Sequence, residues 1–208
     1  MKLQVSFDFV DLEKSLDIAS DIADYVDILE VGTTLIYKHG IFAIEQFNVK
    51  FPHKKILADT KIVDRSKDIV PLIANAGADW LTVMAGTGKN VIHTACTIAH
   101  DLGKKIMLDL LDSNSLGQSA LEAKNLGVDA LLFHQAHEEK ESSVLDKWDM
   151  VKGNTNLPIF IAAKIGRESI DEVLQLLPDG IIVGQAITTA ENPGQEAAYF
   201  SDLIKNIG

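Results

Sequence analysis

Residues 75–84 have the sequence NAGADWLTVM, and residues 125–134, 50 positions further on, have the sequence NLGVDALLFH. In each segment a helical pattern ends at a glycine, and an aspartate two residues later precedes a run of strand-forming residues. Glycine commonly ends helices because it adopts positive φ without steric strain. The two segments therefore predict a repeated connection from a helix to a strand.

Strand-like runs recur along the whole chain at intervals of 22 to 29 residues. Helical patterns lie between them, with apolar residues at steps of three and four, as at Leu12, Leu16 and Ala19. The eight strands are predicted to begin near Leu3, Val26, Lys54, Trp80, Lys105, Asp129, Pro158 and Gly180. Consecutive βα units impose parallel strands with right-handed crossovers. We expect an α/β protein with a (β/α)8 TIM-barrel fold, formed by residues 1–208 as a single domain.

An open, doubly wound sheet is the main alternative to the barrel. That fold usually carries Gly-x-Gly-x-x-Gly after its first strand, and the sequence has no such motif there. The segment 86–89, GTGK, lacks the earlier glycine and the following Ser or Thr of a phosphate-binding P-loop. It is more typical of an ordinary turn between a strand and a helix.

Charge and composition exclude several classes of protein. Against 30 Asp and Glu there are 19 Lys and Arg, so the formal net charge is 19 − 30 = −11, which argues against a nucleic-acid binder. Polar residues interrupt every apolar run, which argues against a membrane span. The single cysteine, Cys96, has no partner for an internal disulfide, and residues 1–9 resemble a strand more than a secretion signal. We expect a soluble cytoplasmic protein.

Five of the predicted strands end in a polar, ionisable residue. These residues are Asp8, Glu30, Asp59, Asp109 and His134. In parallel barrels the carboxyl ends of the strands converge on one opening, where active sites lie. A single such carboxylate is equally well explained as a helix cap. Five at equivalent positions favour a site, because burial of ionisable groups is costly without compensating partners.

The densest cluster of charges is Asp59-Thr60-Lys61-Ile62-Val63-Asp64. Strand periodicity places Asp59 and Lys61 on the same, inward face, and Asp64 in the following loop or first helical turn. A lysine between two carboxylates stays protonated and acts as a fixed cation. The alternative is a surface ion pair at the end of the strand.

Two other strand-end residues suggest specific chemistry. Glu30 and Asp59, on neighbouring strands, offer the oxygen ligands that Mg²⁺ prefers. His134 is suited to general acid or base catalysis near neutral pH, although a lone inward histidine is as often a hydrogen-bonded core residue.

The sequence resembles the 3-hexulose-6-phosphate synthase and 3-keto-L-gulonate-6-phosphate decarboxylase family of the orotidine 5′-monophosphate decarboxylase suprafamily. The resemblance runs nearly from end to end. It is carried by residues 3–8, 26–33, 58–64, 77–79 and 182–188. The motif Asp-x-Lys-x-x-Asp at the end of the third strand is its most specific part.

The resemblance implies a homodimer with shared active sites, in which Asp64 reaches into the site of the partner. It also implies Mg²⁺ at Glu30 and Asp59, and a role for Lys61 in stabilising a 1,2-enediolate. In the synthase reaction that enediolate forms from ribulose 5-phosphate and adds to formaldehyde. In the decarboxylase reaction it forms by loss of carbon dioxide.

The chain departs from the family pattern at several places, including Arg65-Ser66, which replaces the usual Ala-Gly after Asp64. The decarboxylase usually has His-x-Ser-Arg-Asp at the sixth strand, whereas this chain has HQAHE at 134–138, with His137 in place of the arginine; this favours the synthase. Ala163 and Lys164 replace the usual Gly-Gly pair that approaches the phosphate, and Gln185 replaces a glycine or arginine.

From these features we predict the functional residues and the reaction. The catalytic residues are Asp8, Lys61, Asp64 and His134; the substrate-binding residues are Asp109, Lys164, Gly166, Gly184 and Gln185; the Mg²⁺ ligands are Glu30 and Asp59. The predicted activity is an aldolase of the hexulose-phosphate synthase type acting on a phosphosugar. The alternatives are the decarboxylase and a paralogue without turnover that binds a sugar phosphate or a partner protein.

Overall fold

The computed structural model describes residues 1–135 and 147–205. Eight parallel strands form a closed barrel in chain order, with the last strand paired to the first. The strands are β1 (Lys2–Phe7), β2 (Ile28–Val31), β3 (Lys55–Ile62), β4 (Trp80–Met84), β5 (Lys105–Asp109), β6 (Ala130–His134), β7 (Ile159–Ala162) and β8 (Gly180–Val183). The predicted (β/α)8 barrel is confirmed, and each strand begins within two residues of its predicted start.

Helices follow the strands in the described ranges and pack around the barrel. They are α1 (Leu12–Ile22), α2 (Thr33–His39), α3 (Ile41–Lys50), α4 (Ser66–Asn75), α5 (Lys89–Asp101), α6 (Leu116–Ala123), α7 (Trp148–Lys152), α8 (Ile170–Gln175), α9 (Gln185–Thr188) and α10 (Pro193–Lys205). The segment 86–88 is the turn between β4 and α5, as predicted. No helix within these ranges has both the length and the apolar character needed to cross a bilayer.

The inside of the barrel is filled by a layer of apolar side chains. Its buried members are Ile28, Leu57, Met107, Ala130, Leu132, Phe160 and Ile182. Phe160 fits there because Gly180 on the next strand has no side chain: a Cβ at Gly180 would lie 2.4 Å from the phenyl ring. A filled barrel leaves open space at the ends of the strands.

Four aspartates at the amino ends of the strands explain the repeated Gly-x-Asp segments. We call Asp27, Asp79, Asp129 and Asp179 the rim aspartates. Each directly precedes an even-numbered strand, and its carboxylate accepts a backbone N–H from the start of the preceding odd-numbered strand at 2.8 to 3.0 Å. The sequence repeat therefore spans two βα units, and its aspartate fixes neighbouring strands to each other.

The glycines of the two segments end their helices as predicted. Gly77 has φ of 102° and Gly127 has φ of 92°, in the region that favours glycine. A side chain at Gly77 would also collide with Asn48, whose side chain lies 2.3 Å from the position of an added Cβ. These turns determine the direction in which the chain enters β4 and β6.

We expect Asp79→Ala to lower the free energy of unfolding by about 1–3 kcal/mol, because it leaves the buried N–H of Ile56 without its acceptor. The variant also loses the 2.9 Å ion pair with Lys55, which is exposed and contributes less. Urea denaturation measures the change. The control is Asp101→Ala on the exposed end of α5, for which a change within about 0.5 kcal/mol is expected. Equal effects of the two substitutions would contradict a structural role for the rim aspartates.

Candidate active site

A cavity of about 830 Å³ opens at the carboxyl ends of the strands. Its lining contains Asp8, Asp59, Lys61, His134, Lys164, Gly166, Gly184 and Gln185. Glu30 and Asp109 are buried next to it and do not form part of the described lining. Asp64 is exposed and also lies outside that lining. The structure thus brings together most of the residues predicted from the strand ends.

Lys61 lies between two buried carboxylates. Its Nζ is 2.8 Å from Asp59 Oδ2 and 3.2 Å from Asp109 Oδ2. Burial lowers the pKa of Lys61, but the charges of Asp59 and Asp109 outweigh burial and raise the pKa above its ordinary value. Lys61 therefore lies between two carboxylates, as predicted for a fixed cation. Its second carboxylate partner is Asp109 from β5, and not Asp64 as the sequence order suggested.

The backbone of β3 is irregular where Lys61 enters the cavity. The register between β3 and β4 shifts between Ala58 and Ile62, and Lys61 has φ of 45°. A positive φ is unusual for a residue with a side chain and marks a β-bulge that redirects it. The N–H of Lys61 donates to Thr82 Oγ1 at 2.9 Å, and the Thr82 hydroxyl donates to Asp59 Oδ1 at 2.8 Å.

Asp109 holds His134 in one orientation. Asp109 is fully buried, and His134 Nδ1 donates to its oxygens at 3.0 and 3.2 Å. Burial raises the pKa of Asp109, but the hydrogen bond and charge of His134, and then the charge of Lys61, lower it below its ordinary value. An ionised Asp109 requires hydrogen on Nδ1, which leaves Nε2 of His134 for proton transfer. Direct substrate binding by Asp109 stays a prediction.

Two acidic side chains near Asp59, those of Asp8 and Glu30, lack comparable compensation. Burial, followed by the charges of Asp59 and Asp8, raises the pKa of Glu30 well above its ordinary value. Burial and then the charge of Asp59 likewise raise the pKa of Asp8. Glu30 Oε2 accepts a 2.6 Å hydrogen bond from Gln4 Nε2. Within the described part of the chain, Gln4 Oε1 is the one buried side-chain nitrogen or oxygen without a hydrogen-bond partner.

The donor set at Glu30 and Asp59 fits a hard divalent cation. The described residues contain no group of three or more His, Cys, Asp or Glu side chains placed to hold a metal ion. Mg²⁺ typically takes only one or two carboxylates, with water and substrate completing its shell. Burial, and then neighbouring carboxylates, raise the pKa values of Asp8 and Glu30, and a bound cation would offset both effects.

The segments after β7 and β8 contribute Lys164 and Gln185 to the cavity lining, at positions where the resemblance implied glycine or arginine. Lys164 has φ of 50°, so the backbone keeps a conformation that favours glycine while a lysine side chain lies in the cavity lining. Arg167 anchors the loop after β7: its guanidinium binds both oxygens of Glu196 and lies 4.0 Å from the ring centre of Tyr199. The loop is therefore attached to α10.

Comparison with known proteins identifies the family of the chain. Residues 1–200 match the model of the orotidine 5′-phosphate decarboxylase / HUMPS family. The chain belongs to this family. Membership implies an enzyme.

Relatives within the family include two kinds of protein. The 3-hexulose-6-phosphate synthase of Bacillus subtilis is 30% identical over 207 residues, which cover 98% of this chain and 99% of that protein. The crystal structure of 3-hexulose-6-phosphate synthase from Salmonella typhimurium has a TM-score of 0.94 and 31% identity, and it covers 100% of both chains. The 3-keto-L-gulonate-6-phosphate decarboxylase of Vibrio cholerae has a TM-score of 0.85 and 25% identity, covering 100% of this chain and 98% of that one.

Sequence reasoning did not identify the side chains that support the charged residues. Thr33 Oγ1 donates to Asp59 Oδ2 at 2.6 Å, Thr82 donates to the other oxygen, and Gln4 donates to Glu30. Thr82 lies in a strand, where threonine is common, and Thr33 is the first residue of α2, so neither stands out in the sequence. His137, which replaces the arginine of the decarboxylase pattern, lies outside the described residues.

We expect Glu30→Gln to stabilise the protein at about pH 8 in the presence of EDTA, by on the order of 1 kcal/mol. Burial raises the pKa of Glu30 in the folded state, so wild-type stability falls as the pH rises through the range between the unfolded and folded pKa values. The variant has no carboxylate to ionise, and its advantage should vanish as the pH approaches 4.5, the ordinary value.

Urea denaturation at both pH values measures the difference. The control is Glu45→Gln on the exposed face of α3, which should change stability little at either pH. A Glu30→Gln protein that is less stable than wild type at the higher pH would contradict a raised pKa of Glu30 in the folded state.

Proposed function

We propose that this protein is a lyase of the 3-hexulose-6-phosphate synthase type, which condenses formaldehyde with D-ribulose 5-phosphate and depends on Mg²⁺. The observation that carries the proposal is the position of the Lys61 ammonium group, between Asp59 and Asp109 in the cavity lining and next to the Asp109–His134 pair. The relatives named as this synthase support the choice of substrates.

The reaction begins with removal of a proton from C1 of ribulose 5-phosphate. His134 Nε2 takes this proton, because Nδ1 is held by Asp109. The electrons of the broken C–H bond form the 1,2-enediolate, whose oxygen lies against the Lys61 ammonium group. A preorganised cation of this kind lowers the barrier because it is in place before the negative charge develops.

The second step forms the carbon–carbon bond. C1 of the enediolate attacks the carbon of formaldehyde, and the formaldehyde oxygen takes the proton from His134, which restores the neutral imidazole. Asp8, whose pKa is raised, contacts the sugar hydroxyls from the other side of the cavity. Glu30 and Asp59 would hold Mg²⁺, which when bound supplies Lewis-acid stabilisation of the substrate oxygens.

The phosphate group belongs at the wall formed by the loops after β7 and β8. Lys164 supplies positive charge in the lining, and the backbone near Gly166 and Gly184 supplies close approach. Gln185 lines the same part of the cavity and adds an uncharged amide. In this assignment the positive charge of Lys164 attracts the phosphate. This attraction offsets the space that its side chain occupies where the family pattern has a glycine.

Decarboxylation of 3-keto-L-gulonate 6-phosphate is the second candidate activity. It is favoured by the structural similarity to the Vibrio cholerae decarboxylase and by the shared need to stabilise an enediolate. The two reactions differ in how the enediolate forms, by loss of carbon dioxide in one and by loss of a proton in the other. The His134-Gln135-Ala136-His137-Glu138 sequence lacks the arginine of the decarboxylase pattern and favours the synthase.

We expect the purified protein to consume formaldehyde when it is supplied with ribulose 5-phosphate and Mg²⁺, and EDTA to abolish this activity. Lys61→Ala should lower kcat by about 100-fold or more, because it removes the cation next to the developing oxyanion. Colorimetric measurement of formaldehyde gives the rate. The matched control is Lys67→Ala on the exposed first turn of α4, which should leave the rate unchanged.

Carbon dioxide release from 3-keto-L-gulonate 6-phosphate, measured in parallel, decides between the two candidates. Faster decarboxylation than condensation would replace the synthase by the decarboxylase. Failure of both reactions, with a folded protein and bound Mg²⁺, would refute both.

We further propose that the enzyme is a homodimer in which Asp64 completes the site of the partner. Asp64 is exposed and lies outside the described lining of its own cavity. When equal amounts of inactive Asp64→Ala and Lys61→Ala proteins exchange subunits, half of the dimers are hybrids with one intact site. About one quarter of the wild-type activity should therefore return. Mass spectrometry verifies exchange, and no activity despite verified hybrids would contradict the shared site.

A further inference from the structure

We propose that Thr82 is a positioning residue that directs the Lys61 side chain into the cavity. Thr82 lies in β4, one strand away from the residue it positions, and is fully buried. Its hydroxyl connects the backbone of Lys61 to the carboxylate of Asp59. The kinetic consequence rests on the proposed function, whereas the placement of Lys61 does not.

The first step concerns the backbone of β3. Regular pairing between β3 and β4 is interrupted between Ala58 and Ile62, and Lys61 occupies the bulge with φ of 45°. Bulges of this kind leave backbone groups without a ladder partner. The N–H of Lys61 instead donates to Thr82 Oγ1 at 2.9 Å. Thr82 therefore supplies the acceptor that supports an otherwise unfavourable conformation.

The second step concerns the direction of the hydroxyl proton. Because Oγ1 accepts from the Lys61 N–H, its own proton is available, and it is donated to Asp59 Oδ1 at 2.8 Å. A hydroxyl is suited to this position because it accepts and donates at one atom. The Thr82 side chain thus fixes both the backbone conformation of Lys61 and the position of one carboxylate oxygen of Asp59.

The third step connects this arrangement with the ammonium group. Lys61 Nζ contacts both oxygens of Asp59, at 3.1 Å from Oδ1 and 2.8 Å from Oδ2, and it reaches Asp109 from there. Without the hydroxyl, the bulge loses its acceptor and Asp59 loses a donor. The Lys61 backbone can then return to negative φ, which points the side chain elsewhere.

The experiment compares Thr82→Val, which removes the hydroxyl at nearly constant volume, with Thr82→Ser, which retains it. Thr60→Val is the matched control, because Thr60 Oγ1 also bonds across β3 and β4, to the carbonyl oxygen of Thr82 at 3.1 Å, without contacting Lys61 N–H or Asp59. The first readout is the rate of trace acetylation of Lys61 by acetic anhydride, relative to the exposed Lys38, measured by mass spectrometry. This readout needs no substrate.

In Thr82→Val we expect acetylation of Lys61 to be about 5-fold faster or more, because the Lys61 ammonium group moves away from Asp59 and Asp109. In Thr82→Ser and Thr60→Val the rate should change by less than about 2-fold. The second readout is kinetic: in Thr82→Val, kcat should fall about 10- to 100-fold while KM for ribulose 5-phosphate stays within about 3-fold, and Thr82→Ser should recover most of kcat.

Unchanged acetylation of Lys61 in a folded Thr82→Val protein would overturn the proposal, as would an equal effect of Thr60→Val on both readouts. A change in KM alone would also overturn it, since it would place Thr82 in substrate binding. If acetylation changes as expected but the wild-type protein has neither activity, the positioning role stands and the proposed function fails.

Discussion

The site depends on how one ammonium group is shared among buried carboxylates. Lys61 lies between Asp59 and Asp109, and their charges keep Lys61 protonated. His134 first, and then Lys61, keeps Asp109 ionised. Glu30 is buried in the same region and Asp8 lies in the cavity lining, both without a comparable partner, and their pKa values are raised. The opening of the barrel therefore has a compensated side with fixed charges and an uncompensated side that can take up a proton or a cation.

The fold and the general location of the site could be predicted from the sequence because both follow from simple periodicities. Strand starts depend on local patterns, and polar residues such as Asp8 and His134 ended apolar runs at the edge where parallel strands converge. The predicted strand starts were within two residues of the observed ones. Local sequence patterns were thus sufficient to predict where the strands begin and at which end of the barrel the site lies.

The partners within the site could not be predicted in the same way, because they are set by the closure of the barrel. Asp64 is three residues from Lys61 in sequence, yet the chain has left the strand by that point, and Asp109 from β5 provides the second carboxylate. The bulge at Lys61 depends on the hydroxyl of Thr82 in the neighbouring strand. Nothing near Lys61 in the sequence indicates this acceptor, since threonine is a common strand residue.

Because of the rim aspartates, the amino ends of the strands stabilise the barrel, whereas the carboxyl ends form the cavity. At the amino ends, each pair of an odd-numbered strand and the following even-numbered strand is joined by a hydrogen bond from a backbone N–H to a rim aspartate carboxylate. The amino end of the closed barrel is in this way divided into four similar quarters, each with one such contact between two neighbouring strands. Loops carried on such a frame tolerate unusual residues, as at Lys164, which has a φ of 50° in the region that favours glycine.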